Sequence, residues 1–282
     1  MLRLLKRTGR RLVAGLASPA PSAELWKSVA ELQHAARVVD LARRRALFTP
    51  QLTEAPKDQR VVVIAPHPDD EVIGCGGTLI LARRHGCAVR VVYLTSEGFQ
   101  GAEQRVAEAR QVCTHLGAEA VFLPFVPGRI PITEDAARQL AEAVEAFSPG
   151  HIFLPFILDD HDDHRRAIEL FRAAAGSGHL RGEPMLWAYQ VYSGAPLPNV
   201  VDISEAASEK RTAIAFYRSE MEKRHWAHYA LGQNAAASRF LPSSAREHYA
   251  ELFFRSTLED YLALADTYFA QGNTYHRSYR DG

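Results

Sequence analysis

Residues 60–71 read RVVVIAPHPDDE, a run of mostly β-branched residues followed at once by a cluster of imidazole and carboxylate side chains. The segment from Val61 to Ala65 carries no polar side chain, which predicts a strand buried on both faces of a sheet. In open parallel sheets, ligands bind outside the carboxyl ends of the strands. The sequence therefore places the polar cluster where a functional site is expected.

The chain around this stretch alternates between strand-like and helix-like segments. Strands are predicted at 88–95, 120–123 and 151–155, and helices at 73–85, 102–116, 134–147 and 164–175. Farther on, residues 185–192 suit a strand, residues 204–230 suit a helix, and a Tyr-rich helical tail is expected after 245. Strands joined by helices need crossover connections. The predicted fold class is α/β: a Rossmann-like, mostly parallel sheet with helices on both faces, plus a helical N-terminal and a C-terminal extension.

The pattern changes near the Pro56-Lys57-Asp58 turn, which divides the chain into a helical N-terminal extension (1–57) and one α/β domain (58–282). Residues 1–17 interleave arginine and lysine with leucine and valine. Such a segment is either a solvated or partner-packed helix, or a helix lying on a membrane surface. No apolar run reaches the roughly 18–20 residues that span a bilayer.

Composition excludes several classes of protein. The chain has 33 basic and 33 acidic side chains, and this balance argues against a nucleic-acid partner, which would favour a basic excess. Its three cysteines show no C-x-x-C spacing, so a reducing compartment, the cytoplasm, is expected.

A second polar cluster, DDHDDH at 159–164, follows the predicted strand at 151–155. A surface loop could tolerate these carboxylates. Two histidines three residues apart among four aspartates instead suggest a metal ligand with an orienting neighbour.

Together the two clusters are more specific than either alone, because both lie at carboxyl ends of strands in one sheet. His67 and Asp70 can converge on one cation, and imidazole nitrogen and carboxylate oxygen are suitable zinc ligands. Two ligands from the first loop and one from the second leave an open coordination position. That arrangement is typical of catalytic zinc sites.

The pair of motifs, PHPDDE at 66–71 and Asp-x-His-x-Asp-His at 159–164, resembles the PIG-L/LmbE-like family of zinc-dependent de-N-acetylases. The likeness extends from about residue 59 to 175, with weaker echoes at 249–251 and 210–219. Members of this family remove acetyl or related acyl groups from amino sugars. The resemblance implies an LmbE-like catalytic domain over residues 58–282.

The resemblance also implies a ligand set and a nucleophile. His67, Asp70 and His164 correspond to the family's zinc ligands, and Asp69 corresponds to its general base. The implied reaction is hydrolysis of an N-acetyl or other N-acyl group by zinc-bound water that Asp69 activates.

Three further roles follow from the same resemblance. His161 corresponds to the group that stabilises the oxyanion, and either His161 or Asp69 protonates the leaving amine. Asp163 corresponds to the residue that orients His161. Arg105 resembles an arginine that contacts substrate.

The expected substrate is a small amino sugar or its conjugate. It would be lipid-linked if residues 1–17 bring the protein to the inner membrane surface. Two alternatives stay open: an amidase for a larger acylated conjugate, such as a thiol-sugar adduct or a natural-product glycoside, and a non-catalytic carbohydrate-binding protein on the same fold.

Overall fold

The computed structural model describes residues 32–33, 35–40, 49–194, 197–243 and 245–270. The strands are β1 (Gln51–Leu52), β2 (Arg60–Ala65), β3 (Ala88–Thr95), β4 (Glu119–Phe125), β5 (His151–Pro155), β6 (Met185–Tyr189), β7 (Asn199–Asp202) and β8 (Ala250–Ser256). The helices are α1 (Asp70–Arg84), α2 (Ala102–Leu116), α3 (Glu134–Glu145), α4 (Asp162–Gly176), α5 (Ala207–Ala215), α6 (Arg218–Met221), α7 (Trp226–Ala237) and α8 (Leu258–Phe269).

The described strands form one eight-stranded sheet in the order β1-β7-β8-β6-β5-β2-β3-β4. Strand β8 runs antiparallel to both of its neighbours, whereas the other described pairs are parallel. In the centre, Val61 of β2 pairs with His151 of β5 on one side and with Val89 of β3 on the other. Because β2 and β5 are parallel neighbours, the loops that follow them emerge side by side.

Side chains of β2 supply two hydrophobic cores, one on each face of the sheet. Val62 and Ile64 lie in a cluster with the apolar sides of α3, α4 and α8. Val61 and Val63 lie in a second cluster with α1, α2, α5 and α7. Burial on both faces explains the continuous apolar run and confirms the predicted α/β fold class.

Several predicted elements coincide with those observed, namely the strands at 88–95 and 151–155 and the helix at 102–116. Helix α1 begins at Asp70, three residues earlier than predicted, so part of the first polar cluster forms its first turn. Acidic side chains are favourable there because the helix N-terminus carries partial positive charge.

The C-terminal part differs from the prediction. Residues 204–230 are not one helix: the backbone leaves helical geometry at Tyr217 and at His225, where ψ is 66° and 71°. The tail expected to be helical after 245 contains β8, so that prediction was wrong for residues 250–256. Phe253 of β8 is fully buried in the core between the sheet and its helices, and this burial stabilises a strand at this position.

The N-terminal segment is described only in part. Residues 35–40 are helical, whereas residues 51–52 form β1 and pair with β7. The amphipathic segment 1–17 lies outside the described residues. Among the helices that are described, none has the length and apolarity needed to cross a bilayer.

Candidate metal and catalytic site

The loops after β2 and β5 bring three histidines together. One ring nitrogen from each of His67, His161 and His164 lies within 4.8 Å of the others. His67 comes from the β2–α1 loop, His161 caps the N-terminus of α4, and His164 lies in the first turn of that helix. The neighbouring positions of β2 and β5 in the sheet produce this convergence.

Asp70 lies between two of these rings. Its Oδ2 is 3.2 Å from His67 Nδ1 and 3.2 Å from His164 Nε2. The same oxygen accepts a hydrogen bond from the backbone N–H of His67 at 2.8 Å. Asp70 Oδ1 and His164 Nε2 are buried and have no hydrogen-bond partner among the described residues. Buried polar atoms are normally satisfied, and a cation is one partner that would satisfy both.

The outer side of the His67 ring is held by Asp163. His67 Nε2 lies 2.8 Å from Asp163 Oδ2, and the backbone N–H of Gly128 donates to both oxygens of that carboxylate. A carboxylate only accepts hydrogen bonds, so His67 Nε2 carries the hydrogen. His67 Nδ1, the nitrogen that faces Asp70, is then the one available to a metal ion.

Asp159 holds His164 in a similar way. His164 Nδ1 lies 2.7 Å from Asp159 Oδ2, which leaves Nε2 as the nitrogen free for a metal ion. The Asp159 carboxylate is fixed by backbone N–H groups of residues 191–193 at 2.7–3.0 Å. Burial opposes its ionisation, but His164 and these N–H groups outweigh burial and lower the pKa of Asp159.

His161 has the opposite hydrogen-bonding pattern. Its Nδ1 accepts a hydrogen bond from the backbone N–H of Asp163 at 3.1 Å. The hydrogen of a neutral ring therefore lies on Nε2. Burial, together with the charges of His67 and His164, lowers the pKa of His161 to about 4, so the ring is neutral near pH 7. In its neutral form His161 thus carries a donor at Nε2, whereas the neutral forms of His67 and His164 present an acceptor nitrogen towards Asp70.

The charge balance of the cluster favours a cation. Burial disfavours charged imidazoles, but contacts with Asp163 and Asp70 raise the pKa of His67 to about 9. Burial likewise opposes a charged His164, yet Asp70 and Asp159 raise its pKa to about 10. These carboxylates hold positive charge at the centre of the cluster. Because ligation requires neutral imidazole, a metal ion would replace these protons.

Asp69 lies beside the cluster in an unusual backbone conformation. Its φ is 132°, a region that residues with side chains rarely adopt. The carboxylate is buried and bound by the Arg105 guanidinium, with Nη2 2.7 Å from Asp69 Oδ2. Burial raises the pKa of Asp69 to about 8, in opposition to the charge of Arg105. A carboxylate with raised proton affinity is a stronger base once it is ionised, and the charge of Arg105 favours the ionised form.

Arg105, expected to contact substrate, is engaged by the protein itself. Besides Asp69, its guanidinium donates to the carbonyl of Pro68 at 2.7 Å and pairs with Glu220. Only 12% of its side chain is exposed. Arg105 does border the cleft next to the histidines, a cavity of about 260 Å³. The cleft is lined by His67, Pro68, Thr95, Phe99, Gln100, Gly101, Arg105, Pro127, Ser219, Glu220 and Lys223.

Two contacts differ from the sequence interpretation. The Asp163 carboxylate, expected to orient His161, binds His67, and the backbone N–H of Asp163 donates to His161 Nδ1. Asp159, to which no role was assigned, orients His164. The sequence feature that could have indicated this role is the position of Asp159 within the 159–164 cluster. Glu220, which pairs with Arg105, lies far from both polar clusters in the sequence, and no local pattern indicates this contact.

Comparison with known proteins finds deacetylases among the proteins that this chain resembles. A sequence model of the family described as PIG-L, GlcNAc-PI de-N-acetylase, matches residues 62–175. The diacetylchitobiose deacetylase of Thermococcus kodakarensis is 25% identical over 193 residues, 60% of this chain and 72% of that protein.

Solved structures share the fold at lower identity. The N,N'-diacetylchitobiose deacetylase from Pyrococcus horikoshii, complexed with its inhibitor, aligns with a TM-score of 0.62 and 22% identity over 80% of this chain and 93% of that one. GalB, the 4-carboxy-2-hydroxymuconate hydratase of Pseudomonas putida, aligns with a TM-score of 0.59 and 22% identity over 71% and 96%. At this identity, both likenesses show the fold alone.

The family match covers both polar clusters and most of the parallel sheet between them. Together with the fold, it confirms the resemblance to the PIG-L/LmbE-like family of de-N-acetylases that the motifs of this chain carry. The histidine cluster of His67, His161 and His164 is the candidate metal site of this chain.

Proposed function

We propose that this protein is a zinc-dependent hydrolase that removes the N-acetyl group from an amino sugar or an amino-sugar conjugate. The observation that carries the proposal is the convergence of His67 Nδ1 and His164 Nε2 on Asp70 Oδ2, each at 3.2 Å. The two rings are oriented by buried carboxylates on their far sides. Outer carboxylates that fix ligating histidines are typical of catalytic zinc sites, which supports the proposal.

We assign His67, Asp70 and His164 as the zinc ligands. His161 is close enough to be considered, but its Nδ1 accepts a hydrogen bond and its Nε2 carries the hydrogen. A nitrogen that carries a hydrogen has no lone pair for a metal ion. In the neutral rings that ligation requires, the two nitrogens that converge on Asp70 are the ones without a hydrogen, which supports this assignment.

Asp69 acts as the general base in this proposal. When bound, zinc supplies Lewis-acid chemistry: it makes water nucleophilic near neutral pH and stabilises charge on the acyl oxygen. Arg105 holds Asp69 Oδ2, which leaves the other carboxylate oxygen to accept a proton from the attacking water. Burial raises the proton affinity of Asp69, which strengthens the carboxylate as a base once it is ionised, and the charge of Arg105 favours that ionised form.

His161 donates a hydrogen bond from Nε2 to the oxygen on which negative charge develops. Losing one such donor typically costs about 10²–10³ in rate. A neutral imidazole is a poor acid, and the pKa of His161 is lowered to about 4 by burial. We therefore favour Asp69, once it has taken the proton from water, as the group that protonates the leaving amine.

The cleft supports a small acetylated sugar as substrate. Phe99 offers an apolar surface, and Gln100 and Lys223 offer donors for hydroxyl groups. The relative from Thermococcus kodakarensis is named as a deacetylase of diacetylchitobiose. A lipid-linked sugar, membrane contact through residues 1–17 and a cytoplasmic location remain predictions.

A substrate screen tests the proposed function. The zinc-loaded protein is incubated with N-acetylglucosamine, diacetylchitobiose, and nucleotide- and lipid-linked N-acetylglucosamine, and released acetate and free amine are measured together. We expect equimolar acetate and amine from at least one of these, and none after zinc is chelated. Cleavage of a large acylated glycoside alone would favour the amidase. Sugar binding without cleavage of any amide would favour a non-catalytic protein.

A further inference from the structure

The proposed base, Asp69, holds a backbone conformation that needs external support. At φ 132° and ψ −25°, it lies outside the regions that residues other than glycine adopt readily. Such strain persists only where surrounding groups fix it. We propose that the segment 217–220 positions Asp69 through two separate arms, one acting on its backbone and the other on its carboxylate.

The first arm runs through Glu71 to the backbone. The hydroxyl of Tyr217 donates to Glu71 Oε1 at 2.6 Å. Glu71 Oε2 in turn accepts the backbone N–H of Asp69 at 3.0 Å. Glu71 and Tyr217 are both almost fully buried, so these bonds do not compete with water. The arm therefore fixes the peptide that precedes the strained residue.

The second arm runs through Arg105 to the carboxylate. Glu220 pairs with one end of the guanidinium, and the other end binds Asp69 Oδ2. The side chains of Arg105 and Glu220 are each only 12% exposed. Held by carboxylates at both ends, the guanidinium has little freedom to rotate. The arm therefore fixes the direction of the Asp69 carboxylate.

Both arms originate in one short stretch of chain. Between Tyr217 and Glu220, Ser219 binds Glu108 of α2 through its backbone N–H at 3.0 Å and its hydroxyl at 2.6 Å. This anchor ties the segment to the same helix that carries Arg105. The Arg105 guanidinium also lies over the Tyr217 ring, 5.7 Å from its centroid. The two arms thus share one rigid support outside the segment matched by the family model.

The expected effect on kcat rests on the proposed function. The positioning of the Asp69 backbone and carboxylate can be measured whether or not the protein turns over a substrate. Tyr217 and Glu220 are positioning residues, since they act on the reaction through Glu71 and Arg105. A small displacement of a positioned catalytic group can lower turnover by about 10²-fold. Substrate affinity should be spared, because Arg105 is committed to Asp69 rather than to substrate.

The test uses Tyr217→Phe, Glu220→Gln and the double variant of the full-length protein. Crystal structures give the φ of Asp69 and its contact with Arg105, and kinetics give kcat and KM separately. We expect the double variant to lose the positive φ or the contact of the Asp69 carboxylate with Arg105. Each single variant should lower kcat about 10- to 100-fold with KM nearly unchanged, the signature of an interaction made in the transition state.

Two matched substitutions serve as controls. Tyr261→Phe removes another buried hydroxyl, which donates to the carbonyl of Pro155 at 2.8 Å on the opposite face of the sheet. Glu209→Gln breaks a 2.7 Å ion pair with Arg84 away from the cleft. Both should keep wild-type kcat.

The outcomes separate the two claims. An unchanged Asp69 φ and Arg105 contact in the double variant would overturn the inference whatever the turnover. A rise in KM with constant kcat would also overturn it, since that would place Arg105 on the substrate. If the wild type cleaves no amide, the proposed function fails, and the Asp69 geometry alone decides the inference. If the double variant does not fold, the single variants are compared in the same way.

Discussion

At the scale of single residues, the role of each histidine depends on the partner of its second ring nitrogen. A carboxylate behind His67 and another behind His164 leave one nitrogen of each ring without a hydrogen when the ring is neutral. A backbone N–H behind His161 leaves a donor instead. Three identical side chains within one cluster can therefore perform two different tasks.

This distinction predicts the metal content of single variants. His161→Ala should retain about one zinc per chain, because Nδ1 of this ring accepts the Asp163 N–H and its Nε2 carries a hydrogen. Asp70→Ala and His164→Ala should lose stoichiometric zinc. Metal analysis after dialysis provides the measurement. Loss of zinc from His161→Ala with retention in Asp70→Ala would reverse the ligand assignment.

Asp159 should control zinc affinity without touching the metal ion. Asp159→Asn weakens the hydrogen bond that orients His164 and presents amide hydrogens to the N–H groups of residues 191–193. We expect zinc affinity to fall about 10- to 100-fold, measured by competition with a chelator. The neighbouring exposed residue offers a control, Asp160→Asn, which should bind zinc as the wild type does. Equal affinities for both variants would contradict the orienting role.

At this scale, the sequence predicts which residue types form the site but not which way their side chains point. The two polar clusters were recognisable because buried strands precede them. Which ring Asp163 faces depends on the path of the 126–129 loop, whose Gly128 N–H binds the carboxylate. The Arg105 contacts likewise depend on Glu220, which lies 115 positions further along the chain. Such long-range contacts leave no local pattern.

At the scale of elements, helix α1 is held against β8 by a buried ion pair. Lys210 Nζ lies 2.7 Å from Glu251 Oε1, and both side chains are fully buried. Lys210 also donates to the carbonyl of Ile73 and to Asn234 Oδ1, each at 2.8 Å. Glu251 accepts backbone N–H groups of residues 77 and 78 in α1. The pair therefore fixes the helix whose first turn carries Asp70.

Removing one partner of this pair should be strongly destabilising. Lys210→Met leaves the Glu251 carboxylate buried without a counter-charge, which typically costs about 3–5 kcal/mol. Adding Glu251→Gln should recover part of that loss. The free energy of unfolding from urea titration measures both effects. A control is Lys57→Met, since that lysine is 52% exposed and its loss should change little.

Two results would contradict this account of the pair. One is a single variant as stable as the wild type, and the other is a double variant less stable than Lys210→Met alone. Either would mean that the network does not hold α1 in place.

How well each strand can be predicted from the sequence depends on its surroundings in the fold. Strands such as β5, which are buried on both faces, can be recognised in the sequence by their continuous apolar runs. Strand β8 is antiparallel in an otherwise parallel sheet, and its sequence AELFFRS includes Glu251, whose charge is paired with distant Lys210. The strand is stabilised by its insertion between β6 and β7, which no local pattern reveals.

At the scale of the whole molecule, the sheet order creates the site. The two motif-bearing loops are separated by almost a hundred residues, yet β2 and β5 are adjacent, so their carboxyl ends meet. The same fold carries a hydratase in Pseudomonas putida. The fold therefore does not determine the reaction, and side chains at the strand ends must do so.

The most direct test of the central claim compares the wild type with Asp69→Asn, both loaded with zinc. Zinc content and acetate released from an N-acetylated amino sugar are measured on the same samples. We predict about one zinc per chain in both proteins and a severe loss of acetate release in Asp69→Asn, because the base is lost while the ligands stay in place. Near-native acetate release by Asp69→Asn, or by the wild type stripped of zinc, would contradict the account.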